Sequence, residues 1–327
     1  MENESKMRLL YLCKILYERT DDNHPLSTVQ LIEILDKEYS IPAHRTTISK
    51  DIDILKEFGI DVIKIESTQN KYFIASRTFE TPELKLLVDA VEASRFITEK
   101  KSRELVSKIE TLTSVNKAVQ IKRNLCIENR VRSANEKIYY IVDVINDAIN
   151  KNKKISFLYF QYDTGKNRRL KNNGSAYSFS PYTLVWNGDY YYVVGFSDKH
   201  NVVANFRVDR IAATPEILEE DAVPVPETFD LSKYLKTTFR MFSAEPKTVE
   251  LECDNNVMDS IIDRFGEDVE VHYNDPESFR ILIEVAANHI FFSWIFGFQG
   301  KVRIVSPDSV KKAYADMIDS AAKSLNM

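Results

Sequence analysis

Apolar positions recur three times at helical spacing along the first seventy-five residues, and then at strand spacing. Leu9, Leu12, Cys13, Leu16 and Tyr17 fall at i, i+3, i+4, i+7 and i+8, the single stripe of an amphipathic helix. Ser27 to Gln30, STVQ, has the spacing of a capping box, and Leu31, Ile34, Leu35 and Tyr39 carry a second stripe. After a break at Ile41-Pro42, HRTTISKDIDILKEFG predicts a third helix. Ile48, Ile52, Leu55 and Phe58 lie on or near its core side, and Gly59 is placed to end it. The opposite side carries Thr46, Lys50, Asp53 and Glu57, with Ser49 on the flank. It is basic or small and polar in its N-terminal half and acidic in its C-terminal half. DVIKIESTQNKYFI reads as two short strands around a polar tip, Ser67 to Asn70. Helix, helix, helix and hairpin is the order of a winged helix-turn-helix, whose recognition helix enters the major groove by its N-terminal end. The alternative is a small helical domain that binds no DNA.

The pattern continues helical to about residue 150. Leu84, Leu87, Val88 and Val91 mark one stripe and Leu105, Ile109 and Leu112 the next. A further helix, capped by Ser133 to Glu136 (SANE), carries Ile138, Ile141, Val142, Ile145 and Ile149. These helices are expected to connect domains and pair subunits, or to form a local bundle. From Ile155 the period becomes that of strands: ISFLYFQYD, YSFSPYTLVWNG, DYYYVVGFS and VVANFRVDRI, separated by DTGKN, WNGD and SDKHN. Short strands with tight turns predict a small antiparallel barrel. In NFRVDRI, strand alternation would point Phe206 and Val208 to the core and Asn205, Arg207 and Asp209 away from it. The remaining segments, from KTVELECD to KVRIVSP, run strand, helix, strand, strand, helix, strand, a ferredoxin-like order. The expected class is thus multidomain α+β, with domains at 1–78, 79–133, 134–225 and 226–327.

Composition adds limits. The 327 residues are 44% hydrophobic and 28% charged, as in ordinary globular chains. No run approaches a membrane span, and MENESKMRLL lacks the apolar core of a signal peptide. Cys13, Cys126 and Cys253 have no CxxC spacing, which points to a reducing cytoplasm rather than disulfides or zinc. The net charge of −5 is not that of a generic nucleic-acid binder, but it is unevenly spread. Residues 151–171 hold seven Lys/Arg against one Asp, and residues 100–137 hold ten against four Glu. Residues 215–285 hold eighteen acids against six bases, while residues 1–75 hold thirteen against ten. Such runs are most often solvated surface.

No catalytic constellation emerges. His24, His44, His200, His272 and His289 form no HxH or HxxxH pair, so no metal is expected. The eight glycines make no phosphate loop, and no Ser or Cys sits in a nucleophile elbow. Trp186 and Trp294 read as packing residues. Neither an enzyme nor a cofactor is expected.

SPYTLVWNGDYYYVVGF followed by NFRVDRI resembles the WYL domain of bacterial transcriptional regulators. The three residues that name that family are here Tyr191, Tyr192 and Val193, so its Trp and Leu are both replaced. Ser180-Pro181-Tyr182, Gly195 and Phe206 to Ile211 match its frame more closely. TTISKDIDILKEFG resembles the winged-helix motif of these regulators, and FGFQGKVRIVSPDSV the closing motif of their C-terminal extension. The resemblance covers nearly the whole chain. It implies a winged helix-turn-helix, a helical linker, a small Sm/SH3-like barrel and a ferredoxin-like extension.

It also implies a transcriptional regulator bound to double-stranded promoter DNA, with a ligand sensed by the barrel. Arg45, Thr46, Thr47, Ser49 and Lys50 match the recognition-helix region; Thr47 is as well suited to capping or packing. Lys71 would add a weaker wing contact. For the ligand, expected to be single-stranded nucleic acid or a nucleotide-like anion, Arg207 and Arg210 suit phosphate, and Tyr182 and Tyr192 offer stacking faces. Arg168 and Arg169, in the basic hairpin KNRRLK, would guide a strand inward. The competing assignments are an Arg207 paired with Asp209 or another carboxylate, and tyrosines that belong to the core. A metabolite-responsive repressor, with its ligand in the barrel or the C-terminal domain, is the alternative function. A homodimer is expected, because one winged helix of this charge would bind weakly; helices 82–115 and the C-terminal domain are its expected interface.

Overall fold

The computed structural model describes residues 2–123, 132, 135–227, 229–237, 241 and 245–325. The chain divides into two compact units, Met1–Ile138 and Tyr139–Met327. The first begins with α1 (Glu2–Arg19), β1 (Leu26–Ser27), α2 (Thr28–Tyr39), α3 (Arg45–Glu57), β2 (Val62–Ile65) and β3 (Lys71–Ile74). The strands form an antiparallel sheet in the order β1-β3-β2. The short strand β1, which the sequence did not suggest, pairs Leu26 and Ser27 with Tyr72 and Lys71.

Local chemistry sets the helix limits. Ser27 accepts from the Gln30 amide at 3.2 Å while the Gln30 side chain accepts from the Ser27 amide at 2.8 Å, the reciprocal cap read from STVQ. Gly59, at φ 101°, turns the chain after α3. The core joins Leu12, Ile15 and Leu16 of α1 to Leu31 and Leu35, to Ile48, Ile52 and Leu55, and to Tyr72 and Ile74. Two expectations change here. Ile15 is fully buried whereas Leu9, Cys13 and Tyr17 are only partly covered. Phe58 is 83% exposed: it keeps helical geometry as the C-cap of α3 but lies about 60° round the helix from Leu55, on the side away from Ile48 and Ile52.

Three more helices complete this unit: α4 (Thr81–Ala93), α5 (Glu99–Glu110) and α6 (Val115–Arg123). Leu84, Val88, Val106 and Ile121 form their core. The stripe of α5 runs through Ser102 and Val106 instead of Leu105 and Leu112, and α6 was not anticipated. Ser102 is buried without loss because its hydroxyl donates to Glu92 at 3.0 Å. Ser133, in the expected SANE cap, and Cys126 lie outside the described residues.

The second unit opens with α7 (Ile138–Asn150), β4 (Lys153–Phe157), β5 (Phe160–Tyr162), β6 (Arg168–Leu170), β7 (Tyr177–Asn187), β8 (Tyr190–Ser197), β9 (Val202–Arg207) and β10 (Glu216–Asp221). Five of these strands form an antiparallel sheet, β10-β4-β7-β8-β9, while β5 and β6 pair as a separate hairpin. A bridge between Tyr159 and Ile211 joins the residues that follow β4 and β9. Ile141, Ile145 and Ala148 of α7 pack on Ile155, Phe157, Phe179, Val193 and Phe206. Rings of Phe157, Tyr159, Tyr177 and Phe179 meet Phe206 edge-on, with centroids 5.1 to 5.3 Å away. The strand read through NFRVDRI is shorter than expected. It ends at Arg207, and Val208–Arg210 is a 3-10 turn that still buries Val208.

Gly195 is fixed by close approach. A Cβ placed there would lie 2.1 Å from the Ser180 carbonyl oxygen and 2.8 Å from the Phe179 ring. At the same place the β7–β8 register shifts between Pro181 and Thr183, so Tyr182 is the extra residue of a β-bulge. Gly195→Ala should therefore cost about 3 kcal/mol, the upper part of the usual overpacking range. A thermal melt of the variant that matches wild type would contradict this.

The rest comprises α8 (Leu231–Thr237), β11 (Pro246–Asp254), α9 (Met258–Phe265), β12 (Val271–Asp275), β13 (Ser278–Ala286), α10 (His289–Phe296), β14 (Val302–Ser306) and α11 (Asp308–Ser324). The antiparallel order β12-β13-β11-β14 is that of a ferredoxin-like sheet, with α11 added at the end. Val249, Leu251, Ile281 and Ile283 meet Ile261, Phe291 and Ile295 in its core. No helix among the described residues is long and apolar enough to cross a membrane.

Candidate functional site

Each unit carries one group of candidate residues. In the first, Ile48, Ile52 and Leu55 hold α3 against its neighbours, so its other side faces out. Arg45, Thr46, Ser49 and Lys50 are exposed and Thr47 is half-buried. Arg45 and Lys50 make no ion pair among the described residues. No side chain caps the α3 N-terminus, and its first turn holds no acid. The end is therefore electropositive and accessible to an anion. Lys71 is exposed at the start of β3, beside the hairpin tip.

One buried ion pair fixes this helix, and the sequence reading missed it. Arg8 of α1 donates from Nε to Asp51 Oδ2 at 2.6 Å and from Nη2 to Oδ1 at 3.2 Å. The side chains are 14% and 7% exposed. Asp51 occupies a core-side position of α3, one residue from Lys50. Nothing in the local pattern shows which cation, forty-three residues away, would meet it.

A second buried carboxylate ties the turn after α1 to α6. Asp21 is 1% exposed and accepts from Ser114 Oγ at 2.5 Å, His24 Nδ1 at 2.7 Å and the Asn23 amide at 3.0 Å. Burial alone would raise its pKa, but these hydrogen bonds outweigh it and hold the carboxyl below its ordinary range.

In the second unit, Arg207 and Tyr192 stand opposite each other across β9 and β8, on the same face. Arg207 is paired. It donates from Nε to Asp209 Oδ1 at 3.0 Å and from Nη2 to Oδ2 at 2.7 Å, and the guanidinium carbon lies 3.4 Å from the centre of the Tyr190 ring. Arg207 stands, as expected, on the face opposite Phe206 and Val208, but the strand ends there and the 3-10 turn places Asp209 against it, the pairing named above as the competing assignment. Burial works against its charge, but Asp209 more than offsets this and holds its pKa above the ordinary value. The Arg207 amide donates to the Tyr159 hydroxyl at 3.2 Å; burial pushes that phenol up to about 12. Arg210 is half-buried in the same turn.

The other expected ligand residues are dispersed. Tyr192 is 8% exposed, packed with Val185, Val194 and Met241, so it belongs to a core cluster. Tyr182, on the bulge, donates its hydroxyl to the Pro224 carbonyl at 3.1 Å. Arg168 and Arg169 are on the exposed β5–β6 hairpin. Arg168 stacks over Phe160 at 4.7 Å and Arg169 pairs with Asp163 at 2.8 Å. Much of the basic run is neutralised from elsewhere: Lys151 by Asp147, Lys153 by Asp221, and Lys154 by Asp198 and Glu220, at 2.7 to 3.1 Å. Sequence reading missed Tyr190 and Tyr159. The signal for Tyr190 was present in GDYYY, but its pairing with Arg207 depends on strand register. Among the described residues no group of three or more His, Cys, Asp or Glu is placed to hold a metal. Cys253 is fully buried and its thiol is pushed up to about 12, which leaves no thiolate for chemistry.

Residues 140–215 match the family model of the WYL domain and residues 245–322 that of the WCX domain. Among solved structures the chain is similar to proteasome accessory factor B/C (PafBC) of Arthrobacter aurescens, at 16% identity and a TM-score of 0.30, over 100% of this chain and 49% of that one. It is also similar to a CRISPR Cas-related protein, at 13% identity and a TM-score of 0.39, over 95% of this chain and 97% of that one. The chain thus spans about half the length of the first of these. No curated protein matches it. The WYL match thus runs from the first turn of α7 through β9 and the turn after it, and the WCX match covers the ferredoxin-like sheet and most of α11.

Proposed function

We propose that the protein is a DNA-binding transcriptional regulator. Residues 1–78 act as a winged helix-turn-helix, and the WYL domain senses single-stranded nucleic acid or a nucleotide-like anion. The observation that carries this reading is the outer side of α3. Arg45, Thr46, Ser49 and Lys50 are exposed around an uncapped, acid-free helix N-terminus, and Ile48, Ile52 and Leu55 pack into the core behind them. Side chains of this kind meet phosphate and base edges. The acids Asp53 and Glu57 would lie away from the phosphates. Two such domains on one duplex would make up for the low charge of each, so the DNA-bound form is a homodimer in this account.

For the ligand, the Arg207 end of β9 offers a guanidinium already desolvated and stacked on Tyr190. An incoming phosphate would exchange with the Asp209 carboxylate for it, and Arg210 adds a second cation nearby in the turn. Arg168, exposed on the hairpin, adds charge at the surface. The full chain is expected to bind a short single-stranded oligonucleotide in a salt-dependent way. Arg207→Ala should weaken that about tenfold, the loss of one charge-assisted contact. Arg168→Ala, on an exposed strand that carries no core, should weaken it less. Fluorescence anisotropy with a labelled oligonucleotide at low salt checks both. Equal affinity of wild type and Arg207→Ala, with the circular dichroism of both intact, would remove Arg207 from the site.

One observation favours a second reading, a metabolite-responsive repressor. A cleft of about 610 Å³ opens between α8, α9 and β13, lined by Lys233, Arg264, Phe265, Asp268, Leu282 and Glu284. That volume suits a small ligand. Thermal stabilisation by a small metabolite, with none by oligonucleotides, would favour it.

A further inference from the structure

The β7-β8-β9 sheet has two faces. One packs on α7. On the other stand Val185, Tyr190, Tyr192, Val194, Val203 and Arg207, the face that carries the proposed ligand residues. That face is not open. Tyr192 is 8% exposed and Val194 is 0% exposed. The chain that follows the WYL domain covers them: Phe229 of the approach to α8, and Leu231, Tyr234 and Leu235 of α8 itself, pack on this cluster. The three α8 residues fall at i, i+3 and i+4, one stripe of the helix. The Tyr234 hydroxyl accepts from Asn205 Nδ2 at 2.7 Å, and the Phe229 ring lies 6.2 Å from Tyr182 and 5.5 Å from Tyr234. Aromatic rings of the protein itself thus occupy the place where Tyr182 and Tyr192 would otherwise stack a base.

At seven residues α8 is far below the length at which a helix is stable alone, so its order depends on what it packs against. On its other side Lys233 pairs with Glu284 of β13 at 2.9 Å, with side chains 58% and 42% exposed, a contact of small strength. The Arg207 end of the same face is more accessible, since its side chain keeps 20% exposure. One end of the face can therefore receive an anion while the other is covered.

We infer that α8 is a built-in cover of the WYL ligand face, displaced when a nucleic-acid strand anchored at Arg207 stacks its bases where Phe229 and Tyr234 now lie. This rests on the reading of that face as the ligand site. Because Lys233 also joins α8 to β13, its release passes ligand occupancy on to the WCX sheet. The cover lowers apparent affinity by the fraction of molecules in which it is open, so weakening it strengthens binding.

The test uses the full chain and a labelled short oligodeoxythymidylate. Leu231→Ala/Leu235→Ala should bind it about tenfold more tightly than wild type, and Tyr234→Phe, which keeps the ring but loses the hydroxyl's bond to Asn205, about threefold to fivefold. Hydrogen exchange should show the α8 amides of wild type losing protection when the oligonucleotide is added. If wild type and both variants bind equally, or the variants bind more weakly, and α8 protection is unchanged or increased, the cover is overturned while the ligand reading stands. If none of the three chains binds, the ligand reading fails and the cover fails with it.

Discussion

Asp51→Ala is expected to destabilise the first unit by about 3 kcal/mol, the lower part of the range for breaking a buried ion pair. The pair is almost fully covered, and both Arg8 nitrogens point at one carboxylate. Removing Asp51 leaves the guanidinium in a desolvated place, or forces it out and opens a gap beside Ile48 and Ile52. The cost comes from the orphaned charge more than from the lost attraction. Arg8→Met/Asp51→Leu, which removes both charges and keeps apolar bulk, should recover most of the loss. Hydrogen exchange of the α3 amides reads the effect locally, without assuming that the whole chain unfolds in one step. Unchanged protection in Asp51→Ala would show that Arg8 and Asp51 do not position α3.

The second large effect is on DNA binding. Arg45 and Lys50 are exposed and make no ion pair among the described residues, so Arg45→Ala/Lys50→Ala should change stability by no more than about 0.5 kcal/mol. Each cation that meets a base edge or phosphate contributes roughly 1–3 kcal/mol, so the double variant should bind its promoter about a hundredfold more weakly. The salt dependence of the remaining affinity should be shallower, since fewer counterions are released. A double variant that binds like wild type would move the interface off α3.

How far the sequence was legible depended on the range of each interaction. The capping box at Ser27, the Gly59 stop and the stripes of α2 and α7 are local, and the residues that make them lie within one or two turns. The antiparallel strands from Ile155 onward and the ferredoxin-like order were readable for the same reason. Pairing across the fold was not. Asp51 looks like any exposed acid until α1 places Arg8 beside it. Phe58 looks like a continuation of the α3 stripe but lies about 60° round the helix from Leu55, and it stands outside. Tyr192 reads as a stacking platform, yet its burial is decided by α8, some forty residues later. The side on which Arg207 stands was legible from alternation with the buried Phe206 and Val208, but the end of the strand there and its stacking on Tyr190 were not.

The most direct measurement is the retardation of a duplex from the protein's own promoter region by the full chain, beside an unrelated duplex, with and without a short single-stranded oligonucleotide. The account predicts selective retardation of the promoter duplex, loss of it in Arg45→Ala/Lys50→Ala, and a change in promoter affinity when the oligonucleotide is added to wild type but a blunted change in Arg207→Ala. Equal retardation of both duplexes, or of neither, would contradict it.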